Sequence, residues 1–482
     1  MENNNTTKLP SAIVSIIPLV VLVTMLAFTI KLFGGDAIAG GSQLSLLTAS
    51  AVCASISIIK YKYRWQELED AIVNNMRSAT PALLTLLLIG AIAGTWMASG
   101  IIPTLIYYGL KILSPSIFLP ASCIICAVVS LLTGSSWTTI ATIGVALMGI
   151  GNTMGFSDGW VAGAIISGAY FGDKISIMSD TTILASSTSE VPIFSHIKYM
   201  LITTSISMFI ALATFATAGF ITTTESTADI LTIEESLLAT FNISPWLLIV
   251  PVITGVLISR RLPAIVTLFA SVVLASIAML VMQPDIIAKI AASSSASESL
   301  SSLYAIIQCA TSHTAIETGN SQLNELVATG GMGGMMDTIW LIICAMCFGG
   351  VMYGSKMLAS ISRIFVRISH RTASVVGSTV CSGMFFNLTT GDQYISIILT
   401  SDLFKQLYDN RGLERRLLSR SVEDSATVTS VLIPWNSCGM TQSTVLGVAT
   451  LTYLPYCIFN IASPIVSVAI AAIGYKIKKN KL

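Results

Sequence analysis

The chain has 482 residues, 54% of them hydrophobic and 10% charged, with a net charge of +1. An ordinary soluble protein carries roughly 25% charged residues, so a soluble fold of this length would lack the polar surface to stay in solution. The near-neutral balance carries no signal of a nucleic-acid partner.

Crossing a bilayer takes about 20 mostly apolar residues per helix. Such runs recur at 11–33, 43–59, 80–99, 115–132, 195–221, 243–259, 263–282, 337–354 and 453–475, which predicts an all-α polytopic membrane protein. The first run has no small-residue cleavage site after it and reads as a retained span, not a signal peptide. Most of the nine cysteines sit in apolar runs, as Cys123, Cys126, Cys344 and Cys347 do, and read as buried free thiols.

Basic residues cluster at Lys60, Lys62 and Arg64, at Arg260 and Arg261, from Lys356 to Arg371, from Lys405 to Arg420 and in the closing KIKKNK. The positive-inside rule places these in the cytoplasm, with both termini. The connector 222–242, with Glu225, Asp229, Glu234 and Glu235, and the acidic connector 283–336 belong outside.

Shifting the sequence against itself by 257 positions sets Thr133, Gly134 and Ser135 on Thr390, Gly391 and Asp392, and Ser179 and Asp180 on Asn436 and Ser437. With one residue less of shift, Gly94 and Ser99 fall on Gly350 and Ser355. The matches are polar or small residues at membrane depth, where coincidence among Leu, Ile and Val would be uninformative. The first copy continues into the nearly uncharged IIPTLIYYGLKIL and the second into the basic KMLASISRIFVRISHR, so the copies are expected to be inverted. The expected division is 1–79 for the first spans and a cytoplasmic connector, 80–221 for the first repeat, 222–336 for extracellular connectors and linking spans, and 337–482 for the second repeat.

Each copy holds two polar interruptions: TGSSWTT (133–139) and GDKISIMSDTT (172–182), then NLTTGDQ (387–393) and PWNSCG (434–439). Unwound backbone at membrane depth survives only where protein or a water-filled cavity satisfies it, so these breaks are expected to meet. Runs 115–132 and 136–151 read as a re-entrant hairpin whose tip carries Ser135, Ser136, Thr138 and Thr139. The stretch 160–187 reads as a transmembrane helix broken around 172–182. In the second copy Asn387, Thr389, Thr390, Asp392, Trp435, Asn436 and Ser437 occupy the matching breaks.

Asp180 is the leading ion-site residue. Ser179, Thr181 and Thr182 flank it, and a hard cation prefers such oxygen ligands. A carboxylate at bilayer depth costs about 2.5–3.5 kcal/mol, so it should hold a cation or take up a proton, and competition between the two is the minimal physics of exchange. Lys174 either neutralises Asp173 or Asp180 or takes part directly. Asp392 reads as a hairpin-tip ligand, Trp435 as a pathway-lining or anchoring ring, and Glu423 and Asp424 as interfacial partners of Arg415, Arg416 and Arg420. His196, His313 and His370 fall near span ends or in connectors.

GSSWTTIATIG, ISGAYFGDK followed by SDTT, TGGMGGMMDTIWLI, TTGDQY, LIPWNSCG and TLTYLPYCIFN resemble the NhaC-type sodium/proton antiporters of bacterial plasma membranes, from about residue 80 to the end. The resemblance implies paired re-entrant hairpins, broken helices, and a dimer with an elevator motion. It implicates Asp173, Lys174, Ser176, Ser179, Asp180, Thr181 and Thr182, and Asp392, Trp435 and Asn436 in the second copy. Ile177 and Ile183 stand where the family usually has proline and asparagine, which implies a relaxed break and one amide ligand fewer.

Sodium/proton exchange is therefore the expected function, with sodium and protons as cargo and no cofactor. The alternative is ion-coupled transport of a small organic solute, a carboxylate or an amino acid, as in the malate/lactate exchangers. An intramembrane enzyme would want a Ser/His, Cys/His or HExxH arrangement, and the membrane-depth breaks contain no histidine.

Overall fold

The computed structural model describes residues 9–33, 40–221, 227–260, 262–292, 300–367 and 371–477. Glu225, Arg261, His370 and the chain ends, including the closing lysines from Lys478, lie outside the described residues. The described chain is helical, with a lone bridge between Thr314 and Thr329. Lipid offers no partner for backbone N–H and C=O groups, so an apolar run must satisfy them within its own helix.

The first helices are α1 (Ala12–Phe33), α2 (Gly41–Tyr61), α3 (Trp65–Ala98), α4 (Ile101–Ile112) and α5 (Pro115–Thr133). From α6 (Ser136–Thr139) the helix passes through a π-turn (Ile140–Gly144) into α7 (Val145–Thr153), followed by α8 (Asp158–Ile175), α9 (Asp180–Thr188) and α10 (Ile193–Ile221). The linking region holds α11 (Thr227–Thr240), α12 (Ile249–Ser259), α13 (Ala264–Met282), α14 (Pro284–Ala291), α15 (Ser301–Thr311) and α16 (Ser321–Val327). The last part holds α17 (Met336–Gly354), α18 (Met357–Arg367), α19 (Thr372–Thr390), α20 (Gln393–Asn410), α21 (Arg415–Val422), α22 (Ser437–Leu446), α23 (Thr450–Tyr453) and α24 (Ile458–Ile473).

Among the described residues, seven helices are long and apolar enough to cross a bilayer. Two bent pairs bring the number to nine: Leu231–Thr240 with Pro245–Ile258, bent by 88°, and Thr450–Tyr456 with Ile458–Ile473, bent by 56°. These nine fall on the nine apolar runs. α3 starts well before its run, because 65–79 form a charged, amphipathic extension of the same helix, so residue 79 lies inside a continuous helix. Exposed Phe209, Phe220, Phe269 and Val281 give α10 and α13 an apolar outer face suited to lipid.

The polar helices are inside. α8 is buried along almost its whole length and packs its glycines on neighbouring backbone. A Cβ at Gly168 would lie 2.0 Å from the Cys123 carbonyl oxygen, and one at Gly172 2.2 Å from that of Ala127. Ser130 of α5 donates to the Ala169 carbonyl at 2.6 Å. Small residues thus let α5 and α8 approach closely, the usual device for helix pairs in lipid. Gly168→Ala is expected to cost about 1–3 kcal/mol, read as a lower thermal midpoint in detergent. Gly377→Ala, which meets nothing within 4 Å, should leave the midpoint unchanged or raise it slightly.

An ionic network outside the spans ties the α9–α10 turn to α20 and α21. Lys405 donates to Glu190 at 2.9 Å, Arg415 also contacts Glu190, and Arg415 grips Asp409 through two bonds of 3.0 and 2.9 Å. The Lys405 and Arg415 hydrogen bonds hold the Glu190 carboxyl below its ordinary range, and Arg415 does the same to Asp409. Because folded-state values are depressed, this contribution is present above the ordinary carboxylate range and disappears as pH falls through the lowered values. The expected result is unchanged hydrogen-exchange protection factors for 188–193 on moving from pH 8 to pH 6, but lower protection in 1 M salt, where the screening length is about 3 Å.

Candidate functional site

Four helices begin at the four predicted breaks, and local sequence sets each start. In the first hairpin, α5 ends at Gly134 in the left-handed conformation (φ 66°), and Ser135 caps the next helix by accepting from the Thr138 amide at 3.2 Å. In the second, α19 ends at Gly391 (φ 68°), and Asp392 caps α20 by accepting from the Ile395 amide at 3.0 Å. The preceding threonines also match: Thr133 lies 3.3 Å from Thr139, and Thr390 3.1 Å from Ser396, oxygen to oxygen. A residue with a Cβ is strained at that φ, whereas glycine is not, and Ser and Asp are strong N-caps.

The other two starts are capped by Ser179, accepting from the Thr182 amide at 3.4 Å, and by Asn436, accepting from the Cys438 amide at 3.1 Å. The unwound parts are shorter than the polar sequences suggest. Only Gly134 and Ser135, Ser176 to Ser179, Gly391 and Asp392, and Ile433 to Asn436 separate the flanking helical turns. Gly172, Asp173 and Lys174 are still on the last turns of α8. The first break forms without the family's proline, because Ser176 donates to the Leu131 carbonyl at 2.9 Å and Ser179 caps α9.

Between the first three of these starts in chain order, α3 and the α12–α13 elbow lies a cavity of about 760 Å³. Its wall includes Ser135, Thr138, Asp173, Ser179, Asp180 and Thr181, with Gln393 and Tyr394 from the second hairpin. Among the described residues, no lysine, arginine or histidine lines it. Asp180, on the first turn of α9, is exposed to the cavity and has no hydrogen-bonded or ion-paired partner among the described residues. Asp173 is buried and accepts from Ser136 at 2.7 Å. Ile177 and Ile183 line the same wall, each 44% exposed. Two carboxylates among hydroxyls, with no base, suit a hard cation and repel an anion.

Two expectations are corrected behind this wall. Lys174 neutralises neither Asp173 nor Asp180; fully buried, it pairs with Asp424, which also accepts from Thr203 at 3.2 Å. Glu423 and Asp424 are not interfacial either. They open a second π-turn (Glu423–Thr427) and have no exposed surface, like Arg420, whose Nε lies 3.9 Å from Asp424. Buried charge is tolerable only when paired, and the Arg420, Lys174, Glu423 and Asp424 group is neutral as a whole. His196 is also buried, with Nδ1 2.8 Å from the Ser419 hydroxyl.

The remaining predicted residues are off the cavity wall. Thr139 donates to the Ser135 carbonyl at 2.9 Å and Thr182 to the Lys174 carbonyl at 3.0 Å. Thr389 and Thr390 bond back into their own helix. Asn387 donates to the Ala426 carbonyl at 2.6 Å, and Trp435 and Asn436 donate to the carbonyls of Leu388 and Asn387 at 2.8 and 3.1 Å. Ser437 donates to Asp392 at 3.4 Å, joining the second break to the second hairpin. Sequence reasoning missed Gln393, Tyr394, Arg420, Glu423 and Asp424 as neighbours of the site. The signal for the last two is SVEDSATVTS, a carboxylate pair inside a Ser/Thr-rich stretch.

The fold and this site define a multi-pass integral membrane protein with an acidic cavity among broken helices. Residues 168–475 match the Na+/H+ antiporter family, and the chain belongs to that family. It is 34% identical over 426 residues to the Na(+)/H(+) antiporter NhaC of Bacillus subtilis (strain 168), covering 88% of this chain and 91% of the relative. It is 36% identical over 417 residues to the Malate-2H(+)/Na(+)-lactate antiporter of the same organism, covering 86% and 85%. The Arginine/ornithine antiporter ArcD of Halobacterium salinarum (strain ATCC 700922 / JCM 11081 / NRC-1) is 34% identical over 486 residues, covering 98% and 94%.

Proposed function

We propose that this protein exchanges sodium for protons across the bacterial plasma membrane, with Asp180 as the carboxylate for which the two cations compete. The observation that carries this reading is the cavity wall, which brings two carboxylates together with several hydroxyls and, among the described residues, no basic side chain. Ser179 and Thr181 are the neighbouring oxygen ligands, and Ser135, Thr138 and Asp173 complete the polar wall. The matched glycine turns at Gly134 and Gly391 support a pair of inverted repeats with re-entrant hairpins. The positive-inside rule supports cytoplasmic termini, and family resemblance supports a homodimer and an elevator motion. The exchange needs no cofactor.

The test is purified protein in liposomes carrying an internal pH dye. An imposed sodium gradient alone should drive proton movement. A second reading, ion-coupled exchange of an organic solute, draws on the cavity volume, far larger than one bare ion requires, and on relatives named for malate, lactate, arginine and ornithine. Proton flux that appears only after malate, lactate or a basic amino acid is added would favour it. The two carboxylates on the wall suit a cationic group better than a carboxylate.

A further inference from the structure

Thr181 faces two ways. Its side chain is on the cavity wall beside Asp180, yet its Oγ1 donates to Oε1 of Glu423 at 3.3 Å, across to the buried π-turn of the second half of the chain. It also lies 3.0 Å from the Ser179 hydroxyl, which in turn accepts from the Thr182 amide. A hydroxyl has one hydrogen to give and two lone pairs. Thr181 gives its hydrogen to Glu423, so towards Ser179 it can only accept, and Ser179 gives its own hydrogen to Thr181 or to the neighbouring Asp173 carboxylate. In both cases Ser179, which also accepts from an amide, keeps one lone pair, and Thr181 keeps at least one. These lone pairs belong to oxygens beside Asp180, and neither hydroxyl has a hydrogen left to aim at a cation.

Remove the acceptor at 423 and this order is lost. Thr181 could then turn its hydrogen to Ser179 or to Asp180, where it would oppose a bound cation or occupy the carboxylate in its absence. Glu423 is suited to the task because it is fully buried and a carboxylate accepts without donating. It lies beside the buried group in which Lys174 and Arg420 face Asp424. The π-turn that carries it is pinned by α19, where a Cβ at Gly383 would lie 2.4 Å from the Ser425 hydroxyl.

We infer that Glu423 is a positioning residue of the cation site: it orders the Thr181 and Ser179 hydroxyls so that their lone pairs face the ion at Asp180. This rests on the cation-site reading above and adds a residue from the other half of the chain. Outer partners of this kind orient ligands elsewhere in metal sites, and their loss typically costs 10–100-fold in affinity.

The test is a double-mutant cycle on binding of radioactive sodium to the purified full chain, with the sodium KM of flux in liposomes as a second readout. Thr181→Val and Glu423→Met, which removes both carboxylate oxygens, should each weaken sodium binding by about tenfold, raising KM more than they lower the maximal rate. The double variant should be no worse than Thr181→Val alone, and Thr181→Ser, which keeps the hydroxyl, should bind almost as wild type does. Additive losses, or unchanged binding in Glu423→Met, would overturn the inference. If Glu423→Met does not fold, Glu423→Asp decides the matter: it keeps a carboxylate beside Lys174 and Arg420 but withdraws the acceptor by one methylene, so wild-type binding by that variant overturns the inference too. Asp180→Asn separates the two proposals, since wild-type sodium binding by that variant would remove the site itself, whereas its loss together with a silent Glu423 removes only this inference.

Discussion

Replacing Asp180 by asparagine should abolish sodium-driven proton flux while leaving the protein folded. The carboxylate is exposed to the cavity and has no partner among the described residues, so its neutral isostere strands no neighbour and should elute from a sizing column as wild type does. What it loses is the charge facing the ion. Two unit charges about 4 Å apart interact by about 4 kcal/mol at an effective dielectric of 20. Discounted for an open, hydrated cavity, that leaves about a hundredfold in sodium affinity, at 1.4 kcal/mol per tenfold. A folded Asp180→Asn protein that still acidifies or alkalinises liposomes in response to sodium would show that the ion binds elsewhere.

Lys174→Met should have the opposite profile, a loss of folding and not only of transport. Lys174 and Asp424 are both fully buried and in direct contact, and removing one partner of such a pair typically costs about 3–5 kcal/mol, because an uncompensated charge remains behind. Yield and monodispersity in detergent should collapse. The double variant Lys174→Gln with Asp424→Asn should recover most of both, since it leaves Arg420 and Glu423, one charge of each sign, in the same neighbourhood. If Lys174→Met expresses and melts like wild type, the pair contributes little to the fold.

These two residues also show how much was legible beforehand. The apolar runs and the small-polar matches between Thr133–Ser135 and Thr390–Asp392 depend on local composition and turn chemistry, so the span positions and the two capped glycine turns could be read from sequence. Asp180 stood out because its own neighbours Ser179 and Thr181 supply the oxygens. The partner of Lys174 lies 250 positions away, and no local pattern announces it. Glu423 and Asp424 were hidden for a related reason: Arg415, Arg416 and Arg420 precede them in sequence, which looks like a surface cluster. On the helix, Arg415 and Arg416 face outward to Asp409 and Glu414 while Arg420 turns inward. The narrower breaks have a simpler cause, since polar side chains such as Asp173 and Lys174 can stay helical when buried partners await them.

The four capped helix starts bear on how firmly an ion is held. Aligned peptide dipoles give a helix beginning the equivalent of roughly half a positive charge, and Asp180 and Asp392 each stand at such a beginning, α9 and α20 respectively. Their negative charge is thus already softened by backbone that never leaves. If Asp180 holds the ion as proposed, the attraction is shallow and not a trap, which favours short residence, quick departure on the far side, and a working range at high rather than trace sodium.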